Sequence, residues 1–365
     1  MSINIILPYK EKFTKNKASS VSITVRNNFE FSKYKKSIRI FGQWVENPMY
    51  EKNFFGIKKH WNFLKSKNEN IANQMCKMIN SENGIKQIIE IHNRPYLVNL
   101  IKSKISTSHK LTLFLHNDPK EMKGSKSITD RQEILSKSDK IYCVSQYIRN
   151  RFLEGLPKKS KKVVVLYNGV KRFKTKPKLK QKQVIYVGRI VKDKGVHLFV
   201  NAISEIYDNF HDWNFKIIGS PKLGINKFDK FSCKIKNDFE GLGSRAKMVG
   251  FVNSTDLKKI MKKSSIIVIP SIWEEPFGLV AAEAMSNAIA IIASRVGGLS
   301  EIVRKSGILL SNINERKICQ KLKLLMNNPN LLSSYQKISF ENLMFDSKIT
   351  SSILDQYRDS LFFEN

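Results

Sequence analysis

Short apolar runs alternate with longer, helix-length polar stretches along the whole chain. In the first half the runs fall at 3–7, 37–42, 87–91, 110–116, 140–145 and 162–167. In the second half they fall at 184–188, 214–219, 246–249, 266–269, 290–293 and 307–310. Helical stretches such as 55–79, 96–106 and 196–203 lie between them. Apolar strands separated by helices predict parallel sheets covered on both faces. At 365 residues the chain exceeds one ordinary core, so two doubly wound, Rossmann-like α/β domains are expected, facing each other across a cleft. The Lys-dense, Pro-containing stretch 171–183 buries little and reads as the linker. The expected division is 1–172, 173–340 and a C-terminal helix over 341–365. That helix would pack back on the first domain through Ile349, Ile353, Leu354 and Tyr357. Residues 220–243 read as a long loop.

In open α/β sheets, ligands bind outside the carboxyl ends of the strands, and chemistry-bearing residues fall there. The run 266–269 stops at Pro270, and the segment Ser-Ile-Trp-Glu-Glu-Pro-Phe-Gly-Leu-Val-Ala-Ala-Glu-Ala-Met285 follows. A small-residue helix is expected to start near Phe277, offering unpaired N–H groups and a positive dipole to an anion. Glu283, about two turns in, lies amid apolar neighbours, where a buried carboxylate needs partners. An anion cradle beside a hydroxyl acceptor describes a nucleotide-sugar site. Upstream, Tyr186-Val-Gly-Arg-Ile-Val-Lys-Asp-Lys-Gly195 closes the first strand of the second half. Gly188 lets the chain turn, and Arg189 and Lys194 bring a guanidinium fork and a point charge suited to a diphosphate.

Gly188-Arg189, Lys194-Gly195, Pro270-Ser271 and Glu275 with Glu283 together resemble glycosyltransferase family 4, retaining enzymes of the GT-B fold. Tyr167-Asn-Gly-Val170, Val249-Gly-Phe-Val252 and Gly297-Gly-Leu-Ser-Glu301 support the likeness. The first half resembles the family through Ile5-Ile-Leu-Pro-Tyr-Lys10, Leu115-His-Asn-Asp-Pro119 and Val144-Ser145. The resemblance implies that Arg189, Lys194, Glu275 and His116 serve catalysis. It implies a donor site of Gly188, Glu283, the N–H groups of Phe277, Gly278 and Leu279, and Gly219, Phe251 and Val252 around the base. Ser19, Ser20 and Asn117 would belong to the acceptor loops. As a lone histidine, His116 reads equally as a core residue. The chain departs from the family at Asn16-Lys-Ala-Ser-Ser-Val-Ser22, where a glycine-rich loop is usual. It departs again at Ala288 and Ala290, in place of Gly and Pro, and at Lys171 and Ser300, in place of Asp and Pro.

The implied reaction moves a sugar from a nucleotide-diphosphate sugar to a glycan or lipid-linked acceptor, as in lipopolysaccharide or cell-surface polysaccharide synthesis. No Asp-x-Asp motif occurs. No cofactor and no metal are therefore expected, and Arg189 and Lys194 would neutralise the departing diphosphate. The same-face attack implied by the family replaces the carboxylate nucleophile that retention otherwise suggests.

Charge adds a partner question. The formal net charge is +33; residues 1–180 hold 38 Lys and Arg against 13 Asp and Glu, and residues 181–365 hold 26 against 18. Such a field attracts polyanions, and an anionic membrane surface fits a lipid-borne acceptor. Phe54, Phe55, Trp61 and Phe63, interleaved with Lys52, Lys58, Lys59 and Lys65, read either as a membrane contact or as core. A basic nucleic-acid-binding protein is the main rival, but no recognised motif accompanies the charge. A sugar epimerase or phosphorylase on a similar frame is the other. Four scattered cysteines, no secretory leader and no membrane-length apolar run place the expected protein in the cytoplasm, peripheral on the inner face of the plasma membrane.

Overall fold

The computed structural model describes residues 1–15, 19–58, 66–82, 84–173, 180–222 and 228–363. It divides into two compact units, Met1–Gly169 with Ser347–Asn365, and Val170–Asp346.

The first unit is built on strands β1 (Ser2–Ile6), β2 (Ile38–Gln43), β3 (Phe54–Ile57), β4 (Gln87–His92), β5 (Lys110–Leu115), β6 (Lys140–Cys143) and β7 (Val163–Val165). All pair parallel, in the order β3-β2-β1-β4-β5-β6-β7. Helices α1 (Ser20–Phe31), α2 (Lys67–Asn80), α3 (Leu97–Lys102), α4 (Ile128–Lys137) and α5 (Gln146–Leu153) connect them. The strands are nearly all apolar because both faces are covered; Ile3, Ile40, Ile88, Ile91 and Leu113 have no measurable exposure or almost none. Serine caps with an acidic N3 residue, Ser66 with Glu69 and Ser127 with Asp130, start α2 and α4.

β3 is the one strand that apolar patterning assigned to a helix. Phe54 and Phe55 sit in it, register-paired with Ile40 and Phe41, and stack on Phe13 at 5.5 Å and on Phe41 at 5.1 Å. Aromatic residues favour such a pleated, half-buried edge. Their rings are occupied by packing within the unit, so the membrane contact read from the sequence loses these two members. Trp61, Phe63, Lys59 and Lys65 lie outside the described residues.

The second unit repeats the plan with β8 (Gln183–Val187), β9 (Asn214–Ile218), β10 (Ala246–Gly250), β11 (Ile266–Ile269), β12 (Ala290–Ser294) and β13 (Ile308–Leu310). The order β10-β9-β8-β11-β12-β13 is again parallel throughout. Helices α6 (Val196–Ser204), α7 (Lys230–Glu240), α8 (Ser254–Lys263), α9 (Leu279–Ser286), α10 (Leu299–Val303), α11 (Glu315–Asn327) and α12 (Pro329–Glu341) cover it. Helix α7 corrects the expected 220–243 loop; Asp229 caps it and Ile235 and Phe239 anchor it. Residues 223–227 of that segment, and 174–179 of the expected linker, lie outside the described residues. Lys180 already belongs to the second unit, donating to the Asn287 carbonyl at 2.6 Å.

The last helix, α13 (Ser347–Phe363), belongs to the first unit, and the chain leaves the second at Asp346. Its inward face differs from the expected one. Ile349 and Ile353 are 53% and 37% exposed, whereas Ser347, Thr350, Ser351, Leu354, Asp355, Arg358, Leu361 and Phe362 are buried. Arg358 makes two parallel 2.8 Å bonds to Glu90 on β4 and a 2.9 Å bond to Asp355. Asp355 in turn accepts from the Ser32 hydroxyl and the Lys33 N–H. Gly169 allows the helix this close, since a Cβ there would stand 2.2 Å from Thr350 Oγ1.

Candidate functional site

Each strand order reverses direction at one place, between β1 and β4 and between β8 and β11. Ligands of doubly wound sheets bind at this point. In the second unit the two loops that leave it are 188–195, after β8, and 270–278, after β11. These hold Gly188, Arg189, Lys194, Glu275, Phe277 and Gly278 of the residues singled out from the sequence.

Glycines let the loops close on each other. Gly195 has φ +67°, and a Cβ on it would fall 1.8 Å from the Pro270 carbonyl oxygen. The Asp193 carbonyl accepts from the Ile272 N–H at 2.8 Å. Gly297, with φ +43°, lies against the Glu275 backbone, and the Gly298 N–H donates to the Glu275 carbonyl at 2.7 Å. Three sequence motifs, far apart in the chain, are thereby clamped into one constellation. Gly195→Ala is expected to cost about 1–3 kcal/mol, because it combines a left-handed φ with a backbone clash. A thermal or urea melt checks it; a midpoint equal to wild type would show the clamp to be slack.

Inside the clamp, Lys194 Nζ donates to Glu275 Oε1 at 2.5 Å, and the Ser271 hydroxyl donates to the same oxygen at 2.5 Å. The pair is nearly buried, with side-chain exposures of 18% and 11%, and Ser271 is sealed. The Lys194 ammonium also lies 4.8 Å from the centre of the Trp273 ring, a cation–π contact. Arg189 sits at the β8 tip, exposed, on a turn that the Tyr186 hydroxyl holds through the Arg189 carbonyl at 2.8 Å. A fixed cation, an exposed cation and an oriented carboxylate can together bind a group carrying both phosphate and hydroxyls.

Helix α9 begins after Gly278, at φ +103° with no side-chain cap. The Ala281 and Ala282 N–H groups donate to the Gly278 carbonyl at 3.0 and 3.2 Å, and no side chain caps the Leu279 and Val280 N–H groups at the positive end of the helix. Phe277 turns its ring inward onto Phe345, edge-on at 5.8 Å, which leaves its backbone and those of Gly278 and Leu279 to form the turn. Glu283 is half-buried and about one turn into α9, not the two expected, because the helix starts at Leu279. Beyond it Ala288 adopts φ +53°, the left-handed turn that glycine more commonly supplies.

Gly219, at φ +143°, ends β9, and a Cβ there would collide with the Gly188 carbonyl at 1.8 Å. Its N–H donates to the Gly250 carbonyl at 2.9 Å, which sets half-buried Phe251 and Val252 beside it at the β10 tip. Gly188, Gly219, Phe251 and Val252 thus lie at neighbouring strand ends.

The remaining predicted residues lie in the first unit. His116 directly follows β5, is 8% exposed, and its Nε2 is 2.9 Å from His92 Nδ1. Burial pushes its pKa down to about 4, so it is neutral near pH 7. Asn117 beside it is exposed. Ser19 is the N-cap of α1 without a side-chain bond to it, and Ser20 is the first helical residue; residues 16–18 of the same loop lie outside the described residues. Sequence reasoning assigned no role to Ser271, Trp273, Gly297 or His92. The first two sit inside the motif that carries Glu275, Gly297 opens a segment that supports the likeness, and His92 ends an apolar strand, so a signal existed for each.

Comparison with known proteins follows the same division. The family described as "Glycosyl transferases group 1" matches residues 169–341. An uncharacterised glycosyltransferase of Methanocaldococcus jannaschii is 32% identical over 312 residues, covering 85% of this chain and 80% of that protein. The lipopolysaccharide 1,2-N-acetylglucosaminetransferase of Salmonella typhimurium is 26% identical over 230 residues, covering 59% of this chain and 56% of that protein. Among solved structures, Anabaena HepE in complex with UDP and glucose superposes with a TM-score of 0.73 at 14% identity, covering 99% of this chain and 100% of that one. At that identity the likeness speaks for the fold.

Proposed function

The chain belongs to the group 1 glycosyl transferases, with a GT-B fold, and from that premise we propose the reaction and the parts that perform it. It moves a sugar, with retention, from a nucleoside-diphosphate sugar to a glycan or lipid-linked acceptor in cell-surface polysaccharide or lipopolysaccharide synthesis. The observation that carries this reading is the clamped constellation of Lys194, Glu275 and Ser271 beside the uncapped start of α9. Arg189 and Lys194 bind the diphosphate and offset the charge that develops as the glycosidic bond breaks. Glu275 orients the transferred sugar and Glu283 the ribose, while Gly219, Phe251 and Val252 frame the base. His116 lies near the anomeric carbon, and Ser19, Ser20 and Asn117 border the acceptor.

No metal or cofactor is assigned a role. The absence of an Asp-x-Asp motif motivates this. A lipid-borne acceptor is supported by the Salmonella relative and by the cationic first half of the chain. Among the described residues no helix is long and apolar enough to cross a membrane, and the reading places the protein in the cytoplasm, docked at the inner leaflet. The nucleic-acid-binding, epimerase and phosphorylase alternatives are not favoured by the family matches.

A panel of nucleotide sugars tests the reading by thermal shift, since a ligand at 100 times its Kd stabilises the native state by about 2.7 kcal/mol. At least one member is expected to raise the melting midpoint by several degrees. A flat panel at millimolar ligand would overturn the donor assignment.

A further inference from the structure

His92 ends β4 and His116 follows β5, and both are buried. His92 Nδ1 and His116 Nε2 are 2.9 Å apart. The arrangement is held on every side. The His92 ring stacks on Phe114 with centroids 4.3 Å apart and planes 7° from parallel. The Asn93 side chain accepts from the His116 N–H at 2.9 Å, while the Asn93 N–H donates to the Phe114 carbonyl at 2.9 Å. The His116 ring in turn lies against the His92 ring, with centroids 5.1 Å apart and planes 18° from parallel.

One proton joins the two nitrogens, and the surroundings decide which ring carries it. If His116 donated from Nε2, then His92 would keep its own proton on Nε2. That nitrogen is buried and has no partner, and an orphaned buried donor is costly. The Arg358 cation, paired to Asp355 and to Glu90 two residues earlier on the same strand, also disfavours added positive charge on His92. Arg358 acts on His92 electrostatically, after burial and His116 themselves. A lone pair at His92 Nε2 suits that field, so His92 is protonated on Nδ1 and donates to His116. His116 must then hold its proton on Nδ1, the nitrogen with no partner among the described residues.

We infer that His92 is a positioning residue that locks His116 as the Nδ1–H tautomer, so that His116 meets a substrate oxygen as a hydrogen-bond donor and not as a base. This rests on the proposed placement of His116 at the reaction centre. Both rings stay neutral, so the lock holds across the neutral range. No atom is transferred between them.

Nitrogen-15 spectroscopy of the full chain, labelled at histidine and assigned with His116→Asn, reads the tautomer directly. His116 is expected to show a pyrrole-type Nδ1 and a pyridine-type Nε2. His92→Phe keeps the stacked ring but removes the donor, and His116 should then exchange between tautomers; His92→Asn restores a donor at the same place and the single form. In turnover of the nucleotide sugar that stabilises the protein most, His92→Phe should lower kcat about tenfold with little change in KM, and His92→Asn should recover most of it. A pyrrole-type Nε2 on His116 in the wild-type protein would overturn the lock, whether or not any variant folds. Full turnover by His116→Asn would instead remove His116 from the reaction and leave the tautomer result standing.

Discussion

Lys194→Ala is expected to lower kcat/KM for the sugar nucleotide by about 10²–10³-fold, whereas Lys171→Ala should change it by less than about twofold. Both residues are lysines in a chain that has a large excess of them. What separates them is position. Lys171 is exposed just inside the second unit, where its charge is screened by water and salt. Lys194 is nearly buried, fixed between Glu275 and the Trp273 ring, in a place where a cation is worth far more than in water. Removing it takes away a charge already oriented, so no reorganisation is needed at the moment the diphosphate departs.

Removing Lys194 also leaves Glu275 without its cation. Ser271 still donates to the same carboxylate oxygen, which keeps the loop in register. The melting midpoint of Lys194→Ala should therefore fall by much less than its activity. Equal activity losses for Lys194→Ala and Lys171→Ala would sink the assignment of a diphosphate grip to this loop.

The largest expected stability effect lies in the other unit. Arg358→Ala should destabilise the first unit by about 3–5 kcal/mol, the usual cost of leaving a buried charge without its partner. Glu90 is 1% exposed and receives both of its bonds from Arg358, so no water replaces the guanidinium. The double substitution Arg358→Leu with Glu90→Leu removes both charges and should recover much of the loss. Urea denaturation of the single and double variants measures the difference. A single variant within about 1 kcal/mol of wild type would mean that α13 is held by its apolar contacts alone. Leu354, Leu361 and Phe362 are the residues that would then carry it.

These two residues also show how unevenly the molecule can be read from its sequence. Strands announced themselves because parallel sheets bury both faces and leave unbroken apolar runs. Among the described residues, twelve of the thirteen strands coincide with such runs; the exception, Phe54–Ile57, is a short edge strand whose Gly56 and flanking polar residues blur the signal. The glycines of the site were equally legible, since Gly195, Gly219 and Gly278 occupy backbone conformations that other residues rarely adopt. Helix α13 defeated the same reasoning. Its buried stripe contains Arg358, Asp355 and two serines, so apolar periodicity selected Ile349 and Ile353, which face water.

Sequence alone determined the layered α/β plan and the glycine-bearing loops at the strand ends, because backbone periodicity and glycine geometry are local properties of a chain. Only the tertiary structure decided which charges meet. Lys194 finds Glu275 across 81 positions, Arg358 finds Glu90 across 268, and His116 finds His92 from the neighbouring strand. Such pairings depend on strand order and on which face a helix turns inward. A buried polar group can look like surface in one dimension whenever its partner lies elsewhere in the chain.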